Sequence, residues 1–226
     1  MAWKPQEKER RLANMQTRTN SPLSVFSDPA APKFTYVMIA LNIVVFAACS
    51  FSPGLSSALA VSVPAVMSGK AWTIVTAMFV HGGLWHILMN MFMLYYLGAV
   101  IERIYGSVKT AVAYLLSGIA SNVAYVAINA VAGSSAAAVG ASGAIFGLIG
   151  VFAVLLLREM KVQRLLAVKP TWQSSSGFFT CLLVNIVISF MPGIAWQAHF
   201  GGLVAGAIIG LVLYQMATNP SRKSPR

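Results

Sequence analysis

Six apolar runs divide the chain, each ending in charge or in a cluster of glycine, proline and polar residues: 34–51, 84–105, 108–132, 141–157, 177–190 and 197–216. A helix rises about 1.5 Å per residue and a bilayer's hydrocarbon core is about 30 Å thick, so runs of this length predict membrane-spanning helices. The expected fold is therefore an all-α membrane protein, with a six-helix bundle over 34–216. A polar, charged arm (1–33) precedes it and a short basic tail (217–226) follows. The first run does not read as a cleavable signal peptide, because the polar arm precedes it and no small-residue cleavage site clearly follows.

The connection between the first two runs differs from the others. It covers 52–83 and holds Trp72, Phe79 and a moderately apolar stretch over 71–80 that is too short to span. A loop this long in a compact membrane protein is usually functional or interfacial. It is expected to lie partly in the outer leaflet, against the bundle.

Composition agrees with membrane residence: 58% of residues are hydrophobic and 9% charged, against about 25% charged in soluble domains. Charge then sets the orientation. With the N-terminus inside, 15 of the 16 lysines and arginines fall in inner segments and Lys70 alone falls outside. This asymmetry predicts that both termini are cytoplasmic. The net charge of +11 is spread over short juxtamembrane loops, where it suits topology and anionic headgroups, so no nucleic-acid partner is expected. All five acids, Glu7, Glu9, Asp28, Glu102 and Glu159, sit in or beside inner segments. No carboxylate is left for a proton relay in the outer half, which argues against a transporter. Cys49 and Cys181 have neither a disulfide framework nor metal-ligand spacing and read as packing residues.

The candidate chemistry gathers at one depth. In this topology the second, fourth and sixth spans run inward from the outer face. His86 and Asn90 lie in the first turns of the second, Ser142 opens the fourth and His199 opens the sixth. Ser142 to Leu157 is 16 residues, or about 24 Å of helix. In a core about 30 Å thick the serine is submerged, and its site needs a cavity open to water. Gly143, Gly147 and Gly150 line one face of the fourth span, and Gly202, Gly206 and Gly210 one face of the sixth. Such faces let backbones approach in lipid, and packing them together carries His199 toward Ser142. Generic helix packing explains the glycines equally well.

A serine beside an imidazole points to acyl transfer: the hydroxyl is a poor nucleophile until a base removes its proton. The oxyanion that forms needs donors. The Ser142 amide at a helix start, together with His86 and Asn90 at i and i+4 on one face, supplies candidates. Taken singly, Ser142 also reads as a cap and Asn90 as interhelical glue. A histidine in a span is more suggestive of function.

Three motifs then resemble the rhomboid intramembrane serine proteases: HGGLWHILMN over 81–90, Gly140-Ala141-Ser142-Gly143, and Ala198-His199-Phe200-Gly201-Gly202 followed by Gly206. The likeness runs over all six spans. It implies a rhomboid-like bundle with a membrane-embedded first outer loop. In that fold Ser142 is the nucleophile and His199 the general base, with no cofactor. His86, Asn90 and the Ser142 amide form the oxyanion site, and His81 plays a supporting part. The fifth span and the loop after it would form part of a substrate gate. The implied reaction is hydrolysis of peptide bonds in or near transmembrane segments of membrane-protein substrates. Glu102 and Gly106 fit the family's pattern as structural residues.

Two positions depart from the pattern. Phe146 stands where the family often has tyrosine, so a ring can stack on the histidine but no hydroxyl can contact it. Trp72-Thr73 stands where Trp-Arg is common, which puts in question any polar network that arginine anchors. Other classes stay in view. A client-binding rhomboid-like scaffold typically lacks the serine or the histidine, and both are present here. A haem or metal protein using His81, His86 and His199 lacks cysteine or carboxylate partners at matching depth. The simplest location is a bacterial cytoplasmic membrane. The sequence names no individual substrate and leaves the oligomeric state open.

Overall fold

The computed structural model describes residues 31–165 and 172–218. Most of the predicted N-terminal arm, most of the basic tail and the connection over 166–171 lie outside the described residues. The elements in chain order are α1 (Lys33–Phe51), α2 (Pro53–Leu59), β1 (Val61–Ser62), α3 (Val63–Met67), α4 (Thr73–Thr76), α5 (Leu84–Tyr105), α6 (Ser107–Val131), β2 (Ala137–Ala138), α7 (Ser142–Leu165), α8 (Trp172–Ser189) and α9 (Trp196–Thr218). A π-helical turn, Leu94–Gly98, interrupts α5.

Among the described residues, α1, α5, α6 and α9 are long and apolar enough to cross a membrane. The apolar part of α7, Ser142–Arg158, is shorter. The fifth predicted run lies in α8, where several side chains fall outside the described residues. Polarity runs opposite to that of a water-soluble bundle. Thr35, Asn42, Ser117, Ser121, Asn122 and Asn129 are buried, while Val44, Phe92, Val123, Val187 and Ile208 are exposed around the perimeter. An apolar perimeter of this extent suits lipid and not water. Cys49 is buried in α1 and free.

At the end of α5 opposite the HGGLWH motif, Glu102 ties three helices together. Its carboxylate accepts the α1 amides of Phe34 and Thr35 at 2.8 and 2.9 Å. It also accepts the hydroxyls of Thr35 at 2.7 Å and of Ser107, which opens α6, at 2.6 Å. An anion placed where a helix begins meets unpaired amides and the positive end of the dipole. Gly106, at φ +84°, makes the reversal from α5 into α6.

The core is built on α7, where Ala144, Ile145, Phe146, Leu148, Ile149 and Val151 are buried. Two faces of α7 meet neighbours almost without side chains. A Cβ at Gly202 or Gly206 would collide with the carbonyls of Gly143 and Gly147, and one at Gly150 with the Leu203 carbonyl. Toward α6, a Cβ at Gly143 or Gly147 would strike Ser121 or Ser117. The glycine faces of α7 and α9 are thus in backbone contact.

The connection between α1 and α5 packs on the bundle and departs from an all-helical reading at one point. Val61 pairs with Ala138 and Ser62 with Ala137 in a short antiparallel bridge. Pro64 in the first turn of α3 and the Ser62 hydroxyl, which accepts the Ala65 amide at 3.2 Å, start that helix. Asn122 of α6 donates to the Ile74 carbonyl at 2.8 Å, and Thr76 to the Leu59 carbonyl at 2.9 Å. Ala77, Met78 and Val80 are buried, whereas Met67 and Trp72 face outward. Thr73, at the departing position, is buried and donates to the Lys70 carbonyl at 2.7 Å. Its hydroxyl is satisfied within the loop itself.

Candidate active site

Each of the four residues singled out from the sequence lines one cavity of about 780 Å³. Ser142 arrives on the first residue of α7 and His199 on the first turn of α9. Between them, Ser142 Oγ and His199 Nε2 lie 2.8 Å apart. Because α7 and α9 touch along their glycines, main-chain packing brings the two side chains within reach of each other.

The imidazole of His199 is buried and held on three sides. Phe146, one turn along α7 from Ser142, stacks on it with ring centroids 4.3 Å apart and planes 11° from parallel. Phenylalanine thus supplies the flat contact expected at this position. On the far edge, His199 Nδ1 lies 2.8 Å from Ser189 Oγ, at the last residue of α8. Sequence reasoning missed Ser189. A usable signal existed: Asn185 and Ser189 stand at i and i+4, placing two polar groups on one face of an otherwise apolar run.

Across the cavity, α5 presents His86 and Asn90. The Gly82 amide approaches His86 Nδ1 at 3.4 Å, a long contact that makes Nδ1 an acceptor and leaves Nε2 as the protonated nitrogen. Gly140, at φ +128°, carries the chain past this ring, where a Cβ would sit 2.7 Å from His86 Nε2. Only glycine fits both the backbone angle and the space. The Gly140 amide is anchored on the Ala77 carbonyl at 2.9 Å, tying the turn that leads into Ser142 to the connection between α1 and α5. Asn90 is buried and donates one amide hydrogen to the His86 carbonyl at 2.9 Å. Its second hydrogen is not used by that bond. Ser142 N–H belongs to the first helical turn, whose amides have no intrahelical acceptor.

His81 lies outside the spans and does not line the cavity. It is buried, packs edge-on against His86 with centroids 5.1 Å apart, and approaches the Phe79 carbonyl through Nδ1 at 3.3 Å. Burial above all, with the neighbouring His86 adding to it, pushes its pKa from 6.5 down to about 4. His81 is therefore neutral at pH 7 and supports the His86 ring by packing.

Chemically, the arrangement offers a serine on an imidazole nitrogen, with His86 and Asn90 lining the same cavity. Among the described residues no group of histidines, cysteines or carboxylates is disposed to hold a metal ion.

Comparison with known proteins agrees with the motifs. The family model described as Rhomboid domain matches residues 68–216. RHOMBOID-like protein 6, mitochondrial, of Arabidopsis thaliana is 30% identical over 148 residues, covering 66% of this chain and 45% of that protein. RHOMBOID-like protein 4 of the same plant is 30% identical over 153 residues, covering 66% and 35%. Rhomboid protease GluP of Bacillus subtilis is 27% identical over 184 residues, covering 77% and 34%. The chain thus spans less than half the length of each of these relatives. With the domain matched over well more than half of its residues, this integral membrane protein belongs to the rhomboid family.

Proposed function

We propose that the chain is an intramembrane serine endopeptidase that hydrolyses peptide bonds in or near transmembrane segments of membrane-protein substrates through a Ser142–His199 dyad. The observation that carries this reading is the 2.8 Å contact between Ser142 Oγ and His199 Nε2 inside a cavity of about 780 Å³. His199 Nε2 takes the hydroxyl proton as Ser142 Oγ attacks the scissile carbonyl carbon. The negative charge that develops on the carbonyl oxygen is met by the Ser142 amide, His86 Nε2–H and the second Asn90 amide hydrogen. Such donors are each worth about 10²- to 10³-fold in rate. The imidazolium then protonates the leaving amine. Water, deprotonated by the same nitrogen, cleaves the acyl ester and restores the serine.

The architecture proposed with this function has six spans, α7 and α8 completing the set. The arm over 1–33 and the tail over 217–226 are cytoplasmic, in a bacterial cytoplasmic membrane. The apolar part of α7, Ser142–Arg158, extends about 25 Å and keeps Ser142 below the outer boundary of a core about 30 Å thick.

The test is labelling of folded, detergent-solubilised protein with a fluorophosphonate serine probe. Wild type should label, and Ser142→Ala and His199→Ala should not, while all three melt at similar temperatures. Labelling of Ser142→Ala, or none in folded wild type, overturns the dyad and turns attention to a client-binding scaffold.

A further inference from the structure

Ser189 makes two contacts with one hydroxyl. Its Oγ lies 2.8 Å from the Asn185 carbonyl oxygen, four residues back in α8, and 2.8 Å from His199 Nδ1. The side chain is wholly buried, so neither contact is shared with bulk solvent. A serine hydroxyl has one hydrogen to give and lone pairs to receive. The Asn185 carbonyl can only accept, so the hydroxyl hydrogen goes there, in the back-bond usual for a helical serine. Ser189 Oγ is then left with lone pairs toward His199, and Nδ1 must carry the hydrogen of that contact. A neutral imidazole protonated at Nδ1 has its lone pair at Nε2, the nitrogen 2.8 Å from Ser142 Oγ.

We infer that Ser189 is a positioning residue that selects the base-competent tautomer of His199, through the chain Ser142 O–H to Nε2, Nδ1–H to Ser189 Oγ, and Ser189 O–H to the Asn185 carbonyl. This rests on the protease reading of the same site, and it supplies a partner for the far nitrogen of a histidine that has no carboxylate against it among the described residues. When Nε2 accepts the serine proton, Ser189 Oγ stays an acceptor to a now charged ring. The contact therefore strengthens in the transition state, where it lowers the barrier. A neutral hydroxyl orients more weakly than a carboxylate, so its removal should slow turnover without abolishing it.

The deciding comparison is Ser189→Thr against Ser189→Val, which share a shape and differ in the hydroxyl. Threonine in a helix can keep both the back-bond and the acceptor lone pairs. The measurement is the imidazole ¹⁵N spectrum of full-length, histidine-labelled protein in micelles. With three histidines in the chain, the His199 signals are those lost in His199→Ala. Wild type and Ser189→Thr should show a single Nδ1–H tautomer, and Ser189→Val a mixture or the Nε2–H form. Turnover of a transmembrane peptide should show kcat about threefold to tenfold lower in Ser189→Val, with KM unchanged and Ser189→Thr close to wild type. If the valine variant does not fold, Ser189→Ala takes its place.

An Nε2–H tautomer in the wild type overturns the inference. So does an unchanged tautomer in the valine or alanine variant, even if kcat falls. Because the spectrum is read without substrate, a protein that keeps the expected tautomer but fails to label with fluorophosphonate refutes the protease reading and leaves the hydrogen-bond chain standing.

Discussion

Helices α7 and α9 meet carbonyl against glycine, whereas α8 reaches His199 through the hydroxyl of Ser189. Along the first interface, Gly150, Gly202 and Gly206 have no room for a Cβ. Along α8, Ser189 is the one buried residue among the described side chains, and Leu183, Val184, Val187 and Ile188 are exposed. The contrast separates two tasks. The approach of Ser142 and His199 is set by backbone packing of α7 on α9, while the hydrogen bond on the opposite nitrogen depends on a helix whose other described side chains are exposed or half-buried.

The largest effect that would break this contrast comes from filling a notch. Gly206→Leu should destabilise the fold by at least about 3 kcal/mol, since the new side chain meets backbone that cannot yield locally. Thermal melting in micelles reads the loss, and a stable variant would show that α7 and α9 can separate without cost. Next in size is Phe146→Ala, which empties a buried ring site and should cost about 3 kcal/mol along with lower kcat. Phe146→Tyr should keep most of both, because the stacked face is retained. Unchanged kcat in the alanine variant would mean that α9 alone orients the imidazole.

A smaller effect involves His81, which packs behind His86. The pKa of His81 is lowered to about 4 in the folded chain against 6.5 for the free group, so the unfolded chain binds more protons between those values. Its contribution to stability is complete above pH 6.5 and is lost as the pH falls toward 4. Melting temperature should drop across that window, with a shallower slope in His81→Gln. Equal slopes would mean that the imidazole is not shielded from solvent as the packing implies. The smallest effect should come from α8: Leu183→Ala or Val187→Ala should shift stability by less than about 0.5 kcal/mol. A loss as large as in the core would place an unseen partner on that face.

Hydropathy made the long apolar helices legible because lipid selects for it directly, and it misread the boundaries where the apolar run ends and the helix does not. The fourth run stops at Leu157, yet α7 continues to Leu165 through Arg158, Lys161 and Arg164; arginine and lysine close an apolar run but favour helix. In the same way α8 begins at Trp172, ahead of the apolar run at 177, because Gln173 and the three serines that follow are polar without being helix-breaking. The bridge between Val61–Ser62 and Ala137–Ala138 is too short for any alternation to register. Of the site, the gathering of His86, Asn90, Ser142 and His199 around one cavity was readable from the order of the helices, and the approach of α7 to α9 from glycine spacing. Ser189 was not, because its meaning lies in a contact with His199 across the loop from α8 to α9, and one serine near the end of an apolar run resembles any other.

The glycine notches on α9 also make the alignment of the two helices discrete. Gly202, Gly206 and Gly210 recur every four residues, which along a helix is about 6 Å. Carbonyls seated in these notches cannot creep by an ångström; the nearest alternative seating lies a full notch away, far outside hydrogen-bonding reach of Ser142. The interface works as a detent, so the serine and the histidine are either in register or wholly disengaged.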